Sequence, residues 1–330
     1  MASEDKTSLD AHNSMACEDI PLRGAHEVQE CLEGQSVKDL PLYLANCEKN
    51  SGHKNFVPVC QLSVEHFPSG YQDKKLYDLT KALADLTVRI SVKLTSPDRP
   101  EFVPGTKDPY PCYNTRGQNS LHTGTGTVRS VIKCTEELEN YRTCPCPECN
   151  YSDTPSKVWW RVIVVTATHV VFDSSEARQS SCRLWFDDDK SPVVNIYGWK
   201  VGCSNIGDEA CEFCCVTHDI EIGYKLNRMV WRFFSMCNKV CVKYSNRRDV
   251  DRLTIIVSHP HGCSKQVSVG HLMTSGLDHN VIKYYMNTYT NSTCPGSSGA
   301  LVYRPGCSYF SSVDYSEGFN YSGIWGDIEY

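Results

Sequence analysis

Apolar residues fall at helical spacing in KKLYDLTKALADL, where Leu76, Leu79, Leu83 and Leu86 share one face and predict a short amphipathic helix. From Thr87 the pattern changes to alternation, and TVRISVKL reads as a strand. Strand signals recur in GTGTVRSVIK, VWWRVIVVTA, VVNIYGW, DIEIGYKL, DRLTIIVSH, QVSVGHLM, VIKYYMNTY and GALVYR. Clusters of Gly, Pro, Asn, Asp and Ser separate them, and SPDRPEFVPGTKDPYP is too rich in proline for a regular element. Many short strands with turn punctuation, and no second long helix, predict an all-β antiparallel barrel or sandwich. Residues 1–70 are polar, show no sustained period and are expected to form a partly disordered N-terminal extension.

At 330 residues the chain can build one large all-β domain or two smaller ones around a substantial core. A net charge of −6 argues against nucleic acid or an anionic membrane as a main partner. The polar, acidic start shows no secretory h-region, and no run reaches the length of a membrane helix, so the expected compartment is the cytoplasm. Nineteen cysteines are unusual there, and in a reducing compartment they read as thiols or metal ligands more readily than as disulfides.

Three short segments carry candidate chemistry. In VIVVTATHVVFD an apolar strand runs into Thr166-Ala167-Thr168 and then His169. Taken alone, such a histidine is more often a satisfied core residue. In CCVTHDIEIGYKL, Asp219 opens an alternating run of Ile220, Ile222, Tyr224 and Leu226; alone it is a strand-start or turn residue. In TCPGSSGALVY, glycines stand two residues before Ser298 and directly after it. They allow a sharp turn that would aim the amides of Gly296 and Ser298 together as an oxyanion pocket, or merely form a hairpin turn.

Together, in the order His, Asp, Ser, the segments resemble the trypsin and chymotrypsin-like serine protease family over roughly residues 87–330. TATH is similar to that family's TAAH, HDIEIGYKL to its aspartate segment, and CPGSSGALV to its CxGDSGGP box. The resemblance implies a chymotrypsin-like double antiparallel β-barrel. Its protease domain would cover residues 71–330, with barrel one at about 87–230 carrying His169 and Asp219 and barrel two at about 231–330 carrying Ser298. It implies a serine endopeptidase acting on protein or peptide substrates without a cofactor. Ser298 would attack the scissile carbonyl, His169 would relay the proton, Asp219 would orient the imidazole, and the amides of Gly296 and Ser298 would hold the oxyanion. Asp173, Asp249 and Asp251 compete with Asp219 for the acid. Ser292, six residues before the nucleophile, would floor a pocket for a neutral or apolar residue, and Tyr315, Ser316 and Gly318 would line subsites. His259 and His261, in SHPHGC, fall in the wrong order for the triad and are expected in a structural turn.

The chain departs from the family where Ser297 and Ala300 replace Asp and Gly, and it has no IVGG-like start. A trypsin-type zymogen switch is therefore not expected, which leaves the N-terminal extension as a candidate regulator. CPCPEC and CEFCC offer Cys144, Cys146, Cys149, Cys211 and Cys214, with Cys203 upstream, as candidate ligands of a structural zinc. Two other readings stay open: an inactive protease homologue that binds partners through the cleft, and a zinc-stabilised regulatory module. The sequence carries no signal of oligomeric state.

Overall fold

The computed structural model describes residues 28–31, 34–135, 143–278 and 284–307, and the strand backbones at 310–312, 314–316, 319–322 and 324–325. The N-terminal segment holds β1 (Gln29–Glu30), α1 (Leu40–Ala45), β2 (Val57–Pro58) and short helical turns, then α2 (Lys74–Leu86). Strands β3 (Thr87–Val92), β4 (His122–Cys134), β5 (Trp159–Thr166), β6 (Ser180–Leu184), β7 (Val194–Asn205) and β8 (Ala210–Thr217) follow, with short helices α3 (Pro147–Asn150) and α4 (Ser174–Arg178) between them. A long helix, α5 (Ile220–Tyr244), leads to β9 (Leu253–Ser258), β10 (Gln266–Asp278), β11 (Tyr284–Tyr289), β12 (Leu301–Tyr303) and β13 (Phe310–Ser312). The last strands are β14 (Asp314–Ser316), β15 (Phe319–Ser322) and β16 (Ile324–Trp325).

Strands β3, β4, β5, β8, β7 and β6 pair antiparallel in that cyclic order, because β6 returns to β3 and the ring closes. Closure leaves these strands no unpaired edge. Their inward side chains, among them Val88, Ile90, Val128, Val162, Val164, Ile196 and Phe213, form a buried core. The second unit is an antiparallel sheet in the order β14-β15-β11-β10-β9-β12-β13-β16, with β2 added on β10. The expected all-β antiparallel architecture is present as one closed six-strand barrel followed by a second antiparallel sheet, and the short helix before it occupies the expected residues.

Helix α2 forms because Asp73 caps it through Lys75 N, and Leu76, Leu79, Leu83 and Leu86 are all buried. The preceding segment is anchored as well, with Leu40, Val59, Phe67 and Tyr71 buried.

Helix α5 corrects the sequence reading, which placed a strand at Ile220–Leu226 and no long helix in the region. Its buried positions Leu226, Val230, Phe233, Cys237, Val240 and Tyr244 follow a four-three rhythm, which only a helix brings onto one face. The helix straddles the expected border between the barrels near residue 230. No helix among the described residues is long and apolar enough to cross a membrane.

Gly223 lets α5 approach the barrel, since a Cβ there would lie 2.2 Å from Trp160 Nε1. Alanine is the better helix former by about 1 kcal/mol, whereas overpacking a well-filled contact costs about 1–3 kcal/mol. At this separation the clash outweighs propensity, so Gly223→Ala should lower Tm in a thermal unfolding scan. A raised Tm would show that the helix is free to slide off Trp160.

Candidate active site

The His169 and Ser298 segments meet across the two β units, and Thr125 on β4 joins them. Its amide donates to the Ser298 carbonyl at 2.9 Å, and its hydroxyl donates to the Gly296 carbonyl at 2.7 Å. The same hydroxyl accepts from the His259 amide at 2.9 Å, and its carbonyl accepts from the Thr166 hydroxyl at 2.7 Å. The turn around Ser298 requires its glycines. Gly296 and Gly299 have φ of 91° and 84°, a region that suits glycine. A Cβ on Gly299 would lie 2.1 Å from Thr166 Oγ1 and 2.8 Å from Ala167 N. The Ser298-Gly299 peptide is therefore packed against the strand end that delivers His169. Within the turn, Ser297 N donates to the Cys294 carbonyl at 2.8 Å, and Cys294 N donates to Ser297 Oγ at 3.2 Å.

His169 is buried and bonded to a carboxylate. That carboxylate is Glu209. Its Oε2 accepts from His169 Nδ1 at 2.8 Å and from the His169 amide at 3.3 Å. An ionised carboxylate only accepts, so the Nδ1 proton is fixed and Nε2 is left as the basic nitrogen. Glu209 sits in the left-handed region with φ of 48°, at the tight β7–β8 connection. Thr168 Oγ1 stitches that connection to the His169 segment through the carbonyls of Asn205 and Ala210, at 3.0 and 2.9 Å.

Asp219, the expected acid, is elsewhere. It is exposed at the N-cap of α5, where its carboxylate accepts from Ile222 N at 3.0 Å. The antiparallel register explains the difference. Strand β5 runs towards the site and β8 away from it, with Thr166 opposite Cys211 and Trp160 opposite Thr217. The run from Cys211 to Thr217 alone covers roughly 20 Å at about 3.3 Å per residue. An acid that follows β8, as Asp219 does, is therefore carried away from His169. The rival acids have other duties. Asp173 caps α4 through Ser175 N and Glu176 N. Asp251 accepts from Tyr71 Oη and Arg247 Nε, and Asp249 accepts from Arg248 Nε.

A buried polar layer supports the loop after His169. Arg99 and Glu176 form a fully buried bidentate pair, with Nε to Oε1 at 2.6 Å and Nη2 to Oε2 at 2.8 Å. Arg99 Nη2 also donates to the His169 carbonyl at 3.0 Å, and Phe172 N donates to Glu176 Oε2 at 2.9 Å. His122 Nε2 donates to the Val170 carbonyl at 3.0 Å. Burial alone would raise the Glu176 carboxyl, but the Arg99 guanidinium outweighs it and holds the pKa below the usual range. Burial first, and then the Arg99 charge, push His122 down to about 4.

Ser292 is half-buried at the start of the Ser298 loop. Tyr315 and Ser316 lie on β14 opposite Asn320 and Phe319, and Gly318 lies outside the described residues. His259 and His261 flank Pro260 in a tight helical turn, as the order of segments implied.

No family model matches the chain, and no curated protein matches it. Among solved structures it is similar to an HtrA-type protease, AlgW with a tripeptide, at 9% identity, over 75% of this chain and 58% of that one, with a TM-score of 0.38. A variant of the same protease with a tripeptide gives 9% identity, 74% and 57% coverage and a TM-score of 0.36. The chain spans less than three fifths of the length of both.

The cysteine candidates divide. Cys144, Cys146 and Cys149 gather with His218, their ligand atoms all within 4.8 Å of one another. His218 Nδ1 lies 3.3 Å from Cys146 Sγ and 3.6 Å from Cys149 Sγ, and its Nε2 lies 3.6 Å from Glu148 Oε2. Three thiolates and an imidazole with a carboxylate behind it suit a closed tetrahedral zinc site. Cys211 and Cys214 do not belong to this group. Cys211 is buried in the main core, and Cys214 packs beside the cluster with its Sγ towards the Cys215 carbonyl. His218 was missed because it stands well apart in sequence from CPCPEC, and only the β5–β8 pairing brings it there.

The depressed His122 pKa sets a pH dependence. Below its ordinary value of 6.5 the unfolded chain takes up a proton at this site that the folded chain refuses down to about 4. Stability from this group is complete above pH 6.5 and falls as the pH drops through that window. Urea unfolding between pH 7 and pH 4.5 should show the fall. In His122→Gln the slope should flatten by up to about 1.4 kcal/mol per pH unit, even though stability at pH 7 is lower. An unchanged slope would assign the effect to other groups.

Proposed function

We propose that the chain is a serine endopeptidase whose catalytic residues are Ser298, His169 and Glu209. The observation that carries the reading is the Glu209 carboxylate, 2.8 Å from His169 Nδ1, on an imidazole whose strand end packs against the Ser298 turn. In this reading Ser298 attacks the carbonyl carbon of a peptide bond while His169 Nε2 accepts its proton. Glu209 steadies the imidazolium that results. The imidazolium returns the proton to the departing amine, and water then cleaves the acyl-enzyme by the same route in reverse. The amides of Gly296 and Ser298 receive the oxyanion, a role helped by the bond that fixes the Gly296 carbonyl on Thr125. Glutamate in place of aspartate adds one methylene, and the longer side chain still reaches His169 Nδ1 at 2.8 Å.

For specificity, Ser292 gives the pocket no carboxylate, so a neutral or apolar residue before the scissile bond is expected. Strand β14 lies at one end of the second sheet's order. An extended peptide added along such an edge would pass Tyr315 and Ser316. The cluster of Cys144, Cys146, Cys149 and His218 is assigned a structural Zn²⁺ that holds the β4–β5 connection and takes no part in the chemistry.

A fluorophosphonate probe should label the wild type and fail on Ser298→Ala. Glu209→Gln should slow peptide hydrolysis by about 10⁴-fold. Asp219→Asn, which keeps a good N-cap, should leave it unchanged. Equal loss in the two acid variants, or labelling of Ser298→Ala, would sink the assignment. Metal analysis of Cys146→Ser/Cys149→Ser should show one zinc fewer per chain than the wild type. An unchanged zinc content would remove the structural ion.

A further inference from the structure

A second cluster of ligands lies outside the proposed triad. Cys47 and His53 come from the N-terminal segment, Cys294 comes from the loop that holds Gly296 and Ser298, and His261 comes from the turn packed against Gly296. Their ligand atoms all fall within 4.8 Å of one another. Cys47 Sγ is 3.6 Å from Cys294 Sγ, and Cys294 Sγ is 3.5 Å from His53 Nε2. A tetrahedral Zn²⁺, with Zn–S about 2.3 Å and Zn–N about 2.0–2.1 Å, sets S···S edges of about 3.8 Å and S···N edges of about 3.6 Å. The observed edges are close to these values.

The histidines point to the same conclusion. His261 is buried, its Nδ1 donates to the buried Gln29 Oε1 at 2.8 Å, and its Nε2 has no hydrogen-bond partner among the described residues. An outer acceptor on one ring nitrogen, with the other nitrogen turned into a group of thiols, is the arrangement of a metal-bound imidazole. The rings of His53 and His261 meet edge to face, with centroids 5.5 Å apart. Both residues hold left-handed backbones, with φ of 48° and 52°. Such strain persists where surrounding structure fixes it. Asn50 completes the cradle, its amide donating to Cys47 Sγ at 3.4 Å and its side chain to Cys294 Sγ at 3.2 Å.

We propose that Cys47, His53, His261 and Cys294 bind one Zn²⁺ that clamps the N-terminal segment onto the Ser298 loop. Cys294 lies four residues before Ser298. His261 N donates to the Pro295 carbonyl at 2.6 Å, and Asn50 Nδ2 donates to the Thr293 carbonyl at 2.7 Å. The ion would join three segments distant in sequence and bear directly on the turn that shapes the oxyanion amides. Binding of the ion stands independently of the peptidase reading; its effect on Ser298 reactivity rests on that reading.

The test is native mass spectrometry of the full chain, with fluorophosphonate labelling alongside. Cys47→Ser/Cys294→Ser should lose one zinc per chain while Cys144, Cys146, Cys149 and His218 keep theirs. Cys146→Ser/Cys149→Ser should show the reverse. If the first variant does not fold, the wild type decides. Cys47 should resist alkylation when loaded with zinc, react after chelation, and be protected again by added Zn²⁺. Unchanged zinc in the first variant, alkylation of Cys47 indifferent to zinc, or an intact mass showing a Cys47–Cys294 disulfide would each overturn the site. Chelation should also slow labelling of Ser298 by about 10²-fold, as loss of positioning does. Zinc binding with labelling unaffected by chelation would overturn the clamp. Zinc binding in a chain whose Ser298 never labels would instead remove the peptidase reading and leave the metal site standing.

Discussion

Both β units are coupled through the hydrogen bonds of one buried threonine. Thr125 uses its amide, hydroxyl and carbonyl to hold Ser298, Gly296, His259 and Thr166. Each partner is a buried polar group whose desolvation, if unmatched, costs about 1–3 kcal/mol. The bonds therefore do more than add stability: any arrangement of the second unit that misses β4 leaves several groups unsatisfied at once. This narrows the relative placement of the units to one in which the Ser298 turn lies against the strand end that bears His169. The glycines then become obligatory, because backbone approaches this close leave no room for a Cβ.

The His169 side of the cleft is held by a different kind of force. The loop from His169 to Phe172 presents carbonyls and an amide to a layer made of Arg99, Glu176 and His122. A buried ion pair is weak evidence for stability, because desolvation offsets much of its attraction. Its fork geometry does specify position, since Arg99 grips Glu176 with Nε and Nη2 while it also donates to the carbonyls of His169 and Pro111. The imidazole is thus set from two sides, through its own backbone by this layer and through Nδ1 by Glu209. Neither restraint uses Nε2, the nitrogen that the proposed chemistry needs.

Much of the fold was legible in the sequence. The leucine face of α2 and most strand runs follow directly from residue periodicity, and the glycines around Ser298 announced their turn. The missed elements are those in which two periods overlap. Ile220, Ile222, Tyr224 and Leu226 alternate as a strand would, and only the longer rhythm through Val230, Phe233, Cys237, Val240 and Tyr244 marks a helix. A strand after Asp219 makes it a plausible partner for His169, whereas the helix makes it a cap. Glu209 carries no local signal. Its place beside His169 follows from strand direction, which is a property of pairing and not of any short window. His218 was hidden for the same reason, since β8 carries it to the far end of the barrel, where CPCPEC lies.

The Ser298 turn illustrates why one anchor would not suffice. A segment with glycine on both sides of Ser298 gains a sharp turn but has more conformational freedom to lose on ordering than other segments do. Thr125 grips it at Gly296 and Ser298 from the first unit. The N-terminal segment grips it one turn earlier, through Asn50 at Thr293 and through the thiol contacts of Cys294. Between the two grips lies only Pro295, whose ring fixes φ and whose carbonyl is taken by His261 N. Few soft torsions are left between the anchors, so the turn that carries Ser298 is restrained from both sides.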